Sequence, residues 1–301
     1  MPRRSHPGRS ERSKSRGARA RGSDRLGEPF NVSRVDTVSH VRNESYTSHL
    51  RLRRACEIDS PIFLLALFAL GALSGSTAAV VGFGIGSLLT PLLTLRLSPE
   101  LAIAVVALPH LLATAVRLLR HAASVDRPTF LRFGLLSAAG GLGGALLQST
   151  LSGPALLGGL GSLLIATALA SLTGNFGGRQ SATPVALVLG LISGFFGGLV
   201  GNQGGLRAAG LLAFDLPPRV FLATSTAVAL MVDLARTPVY LARAGAQLWS
   251  LALPIAVAAA GCLAGTVWGE RLFLRMGPAT YRRLVGAAVG AIGVWLLARA
   301  L

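Results

Sequence analysis

The chain has 301 residues, 51% of them hydrophobic, with a mean hydropathy of +0.59 and 37 glycines. Its formal charge of +17 comes from 29 Lys+Arg against 12 Asp+Glu. This composition excludes a single soluble globular domain, and two distant cysteines, Cys56 and Cys262, exclude a disulfide framework or a cysteine-held metal. No cofactor or metal is expected.

Residues 1–60 carry 14 of the Lys+Arg and 7 of the acids. They are rich in Arg, Ser and Gly without hydrophobic periodicity, which reads as a disordered basic tail. The charged stretch is too long for a secretory signal. Acids are mixed in and interleaved aromatics are missing, so no specific nucleic-acid binding is expected. A non-functional extension is preferred over weak attraction to anionic headgroups.

From residue 61 onward only 15 arginines and five acids remain: Glu100, Asp126, Asp215, Asp233 and Glu270. A spanning helix needs about 20 apolar residues. Such stretches occur at 61–81, 101–119, 130–151, 154–172, 184–200, 220–242, 249–269 and 280–299. Two shorter arms, 87–97 and 206–214, cannot cross alone. Trp249, Trp268 and Trp295 sit near predicted helix ends, as interfacial anchors do. Small-residue pairs such as Gly140–Gly144, Gly194–Gly198 and Gly261–Gly265 allow close helix contact.

The segment SGSTAAVVGFGIG at 74–86 returns 119 positions later as SGFFGGLVGNQGG at 193–205. At the same offset Leu97 falls on Leu216, Pro99 on Pro218, Ala104 on Ala223 and Arg117 on Arg236. The pattern predicts an all-α polytopic membrane protein of two homologous halves, about four helices each, with a glycine-broken helix in each. The halves are 61–173 and 184–301, joined by a linker at 174–183. Broken helices in duplicated membrane proteins build transporter binding sites.

Freed backbone groups survive in hydrocarbon only beside protein or a wet cavity, and a helix restarting after a break offers N–H donors to an anion. In the first half these come from Gly82, Gly84, Ile85, Gly86 and Ser87, with Phe83 as a wall. The second half brings Gly201, Asn202, Gln203, Gly204 and Gly205, followed by Arg207. A tight crossing that merely needs glycine is the plainer alternative, and the duplication argues against it. Arg207 lies in apolar sequence, where an unpaired charge costs at least about 2.5 kcal/mol. It is an anion ligand or a snorkelling side chain.

Thr224 and Ser225 open the next helix and are read with the break residues as substrate-binding. Asp233 and Arg236, three apart, can pair structurally, or Asp233 can carry a proton or sodium ion. Thr114 occupies the equivalent position in the first half. His110, two turns before Arg117, is a proton relay or a satisfied core histidine.

Orientation turns on two basic clusters, Arg117/Arg120/Arg127/Arg132 and Arg271/Arg275/Arg282/Arg283. The positive-inside rule puts both in the cytoplasm only if the halves are inverted, which places the tail outside. An inverted repeat is the preferred reading.

The motifs GFGIGSLLTPLL (82–93), LSPELAIAVVAL (97–108), GLVGNQGGLRAAGLL (198–212), LPPRVFLATSTAVAL (216–230) and VDLARTPVYL (232–241) resemble the sulfite exporter TauE/SafE family over about residues 61–301. The resemblance implies a multi-pass anion permease of the bacterial inner membrane, with sulfite, sulfonates or other organic acids as substrates. GNQGGLR departs from the glycine-richer family pattern, so sulfite itself is not assumed.

Three function classes compete. A secondary transporter, with proton or sodium coupling and homo-oligomerisation left open, suits the asymmetric duplication. An anion channel would want pore-lining rings. An intramembrane enzyme built on Ser87 and His110 lacks a nucleophile elbow. ATP-driven pumping has no GxxxxGK[ST] loop to support it. The chain is read as a non-enzyme.

Overall fold

A computed structural model describes residues 58–81, 84–173, 183–273 and 278–301. Gly82, Phe83, Arg275, most of the tail and most of the linker lie outside the described residues. Within them the chain is helical without strands.

The first half runs α1 (Pro61–Val81), α2 (Ile85–Leu93), α3 (Pro99–His121), α4 (Arg127–Gln148) and α5 (Gly153–Thr173). The second runs α6 (Thr183–Val200), α7 (Gly204–Leu211), α8 (Pro218–Ser250), α9 (Ala252–Phe273) and α10 (Pro278–Ala300). Seven of the described helices are long and apolar enough to cross a membrane, and the described part of α9 is a shorter apolar helix. The 119-residue offset therefore maps α1–α5 onto α6–α10 in order.

Proline and caps set the helix starts. Ser98 accepts from the Leu101 N–H ahead of Pro99, and Asp126 accepts from the Thr129 N–H ahead of α4. Those Thr129 hydrogen bonds hold the Asp126 carboxyl below the usual carboxylate range. α8 is longer than a bilayer needs and loses helical geometry at Ala244.

Glycine stripes decide which helices touch. A Cβ at Gly140 or Gly144 would run into α6 carbonyls, and one at Gly194 or Gly198 into α4. Gly261 and Gly265 make the same approach to α1. With no side chain in the way, backbones meet and dispersion contact accumulates along the whole interface. The close pairs advance together in sequence, so α4 runs parallel to α6, and α1 to α9.

Equivalent helices behave differently. On α3 and α8, His110 meets Asp233 while Arg117 meets Thr226. On α5 and α10, Gly158 faces Ala300, Gly161 approaches Gly293, and Ala168 faces Gly290. Both equivalent pairs are therefore antiparallel. The N-terminal ends of α4, α8 and α10 consequently share one face. On the opposite face Ser98, Gln148, Ser149, Arg243 and Gln247 border a cleft of about 180 Å³.

Large apolar side chains on the periphery, Ile62, Leu119 and Leu135 among them, are exposed, as are Trp249, Trp268 and Trp295. An outward apolar surface is the arrangement that lipid requires.

Candidate functional site

Each break holds a glycine in a backbone conformation that side-chain-bearing residues rarely adopt: Gly84 just before α2, and Gly201 just after α6. Gly84 has φ +145° and Gly201 φ +75°, where a Cβ would be strained. The two breaks touch, because a Cβ on Gly86 would strike the Gly201 carbonyl oxygen. The first turns of α2 and α7 thus begin within one small region at the centre of the helix packing.

A helix that ends in the interior leaves carbonyl oxygens without partners and a partial negative charge. Both halves answer this in the same way. Arg117 donates from Nη1 to the Ala78 carbonyl at 2.6 Å. Arg236 donates from Nη1 to the Gly197 carbonyl, which also accepts from the Gly201 N–H at 3.2 Å. Ala78 and Gly197 are themselves 119 residues apart, so the duplicated arginine clamps the duplicated break. Tyr240, one turn beyond Arg236, adds a hydrogen bond to the Gly198 carbonyl.

Between the breaks lies a cavity of about 10 Å³, about the room of one water molecule. Gly84 and Gly86 wall it from the first half, and Gly201 and Gly204 from the second. Ala78 and the side chains of His110, Arg117, Asn202, Gln203 and Arg207 complete its described lining. Asn202 and Gln203 are buried, and Asn202 Nδ2, Gln203 Nε2 and Gln203 Oε1 find no hydrogen-bond partner among the described residues. Arg207 is held from behind, its Nε donating to Ser225 Oγ at 3.0 Å.

The buried charges among the described residues are Arg117, Arg207, Arg236 and Asp233. One carboxylate thus stands against three guanidinium groups. Asp233 spends Oδ1 on Arg236, 2.8 Å from Nη2 and 3.0 Å from Nε. Its Oδ2 meets His110 Nδ1 at 2.6 Å, joining α8 to α3. Thr114 Oγ1 lies 3.3 Å from the same nitrogen. His110 and Asp233 have no counterparts across the repeat, where Ala229 and Thr114 stand instead.

The expected site residues therefore divide. Gly84, Gly86, Gly201, Asn202, Gln203, Gly204, Arg207, His110 and Arg117 gather around the cavity. Ser225 supports Arg207, and Asp233 and Arg236 form the expected pair behind His110. Ser87, Gly205 and Thr224 are not among the described walls. Gly205 packs on Thr167, and the Thr224 hydroxyl accepts from the Asp126 N–H at 2.9 Å, tying down the turn before α4. Sequence reasoning missed Tyr240 and named Thr226 only as a neighbour of Thr224 and Ser225, without a role. A tyrosine one turn past an intramembrane Asp–Arg pair was the available signal for the first. Thr226 accepts from Arg117 Nε at 3.2 Å.

Among the described residues no cluster of His, Cys, Asp and Glu could hold a metal ion. No curated protein and no solved structure matches the chain. The family model described as sulfite exporter TauE/SafE matches residues 67–296, which spans both breaks, both arginine clamps and the cavity between them. The chain belongs to the sulfite exporter TauE/SafE family, a family of membrane transporters.

Proposed function

We propose that this multi-pass protein is a secondary transporter of the bacterial cell membrane that moves a small anion, such as sulfite, an organosulfonate or another organic acid, through the cavity between the breaks. The observation that carries this reading is the charge count around that cavity: three buried arginines to one carboxylate. Excess cations in hydrocarbon are expensive unless an anion joins them. Amide donors on Asn202 and Gln203 and the first turns of α2 and α7 add uncharged ligands for its oxygens.

The antiparallel pairing of α3 with α8 and of α5 with α10 supports inverted halves, with α1 and α2 forming a hairpin in one and α6 and α7 in the other. Rocking of one inverted half against the other would open the cavity to each side in turn. Both basic clusters would then face the cytoplasm.

A channel reading is less well supported, since the cavity is closed to about one water. The enzyme reading suffers because Ser87 Oγ finds no hydrogen-bond partner among the described residues, His110 included.

The test is flux into liposomes of labelled sulfite, methanesulfonate and acetate. Arg207→Ala and Asn202→Ala should each lower the rate at least about tenfold, the loss of a charge-assisted or buried hydrogen bond of about 1.4 kcal/mol or more. Both should keep a wild-type melting profile. Wild-type flux in both variants would remove the cavity from the transport path.

A further inference from the structure

We infer that the transported oxyanion enters the cavity together with a proton, and that the proton sits on His110 Nε2. This rests on the proposed transport function and adds the coupling ion and its atom.

An ionised carboxylate only accepts hydrogen bonds. Asp233, held by Arg236, is such a carboxylate, so the 2.6 Å contact requires His110 to donate from Nδ1. In the neutral ring the proton is then on Nδ1, and Nε2 carries a lone pair. The ring lines the cavity, and its side chain keeps 13% exposure where Asp233 has none. An oxyanion arriving there meets a lone pair when His110 is neutral and an N–H donor when it is protonated. The imidazolium is the better ligand by one charge-assisted hydrogen bond. By linkage, anion and proton raise each other's affinity, and they move together.

The surrounding charges fit this assignment. Asp233 and Arg236 face His110 from α8, Arg117 from α3 itself, and Arg207 stands across the cavity on α7. Tyr240 lies beyond Arg236 and is committed to Gly198. Helices α1 and α2 contain only hydroxyl-bearing polar side chains, and Cys262 of α9 lies against Ser74. Around His110 three guanidinium groups outnumber the one carboxylate by two charges, and a bound monoanion cancels one of those two. With Nδ1 committed to Asp233, Nε2 is the ring nitrogen left for the substrate, which makes Asp233 a positioning residue.

Methanesulfonate keeps its charge between pH 6 and 8 and is the probe of choice, with sulfite beside it. Calorimetric binding to the detergent-solubilised full chain should be about tenfold weaker at pH 8 than at pH 6. In H110Q this dependence should vanish. In wild-type protein labelled with ¹⁵N-histidine, the probe should raise the titration midpoint of His110. Equal wild-type affinity at both pH values, or an unmoved His110 midpoint, overturns the proton assignment and leaves the anion site standing. Binding that survives R207A unchanged overturns the placement of the anion site itself. If neither probe binds, both readings are overturned together.

Discussion

Arg117 and Arg236 stand 119 residues apart and make one contact twice, each donating Nη1 to the carbonyl 39 residues before it, on Ala78 and on Gly197. The duplicated motif is therefore a mechanical unit as well as a sequence pattern: a helix that stops within the helix packing, and a cation on the second helix after it that accepts the stopped end. The two units differ in what else the cation holds. Arg117 reaches Thr226, whereas Arg236 reaches Asp233 and through it His110.

That difference predicts unequal losses. Arg117→Ala should cost about 1–3 kcal/mol, the price of an orphaned carbonyl. Arg236→Ala also leaves Asp233 without its main counter-charge and should cost about 3–5 kcal/mol. Thermal melting followed by tryptophan fluorescence would rank them. Adding Asp233→Ala to Arg236→Ala should recover part of the loss, and a double variant no better than the single one would refute the pairing.

Glycines in the same chain should tolerate alanine very differently. Gly86→Ala would drive a methyl into the Gly201 carbonyl, so the breaks must separate, and transport should fall to background. Gly143 has nothing within 4 Å of an added Cβ and lies inside α4. Gly143→Ala should raise helix stability by about 0.5–1 kcal/mol with flux unchanged. Equal tolerance at both positions would contradict the contact between the breaks.

Inverted halves have a topological consequence. In a chain with Cys56 and Cys262 replaced by serine, single cysteines introduced at Ser124 and Ala279 should label from the same side of sealed vesicles. One at Thr150 should label from the other side. Labelling of Ser124 and Ala279 from opposite sides would mean parallel halves and would end the rocking mechanism.

Much of the helix layout was readable because membrane helices obey a local rule. Each apolar run long enough to cross had to become a helix, and α1, α3–α6, α8 and α10 follow the apolar stretches closely. The glycine pairs at 140/144, 194/198 and 261/265 were readable as contact surfaces for the same reason, since small side chains leave only backbone to pack. The break residues Asn202, Gln203 and Arg207 could be singled out because polar groups in apolar sequence are costly. Thr224, expected among the substrate-binding residues, accepts from the Asp126 N–H and helps fix a turn, a partner 98 residues away that no local pattern marks.

The glycine repeat by itself determined that there would be two broken helices and that polar chemistry would concentrate in the second copy, because those are statements about spacing and residue type. It could not say that Arg117 and Arg236 each reach back 39 residues, or that His110 of one half completes Asp233 of the other. Those pairings depend on how equivalent helices cross. Their antiparallel approach is a property of packing between segments more than 100 residues apart, which no local pattern encodes.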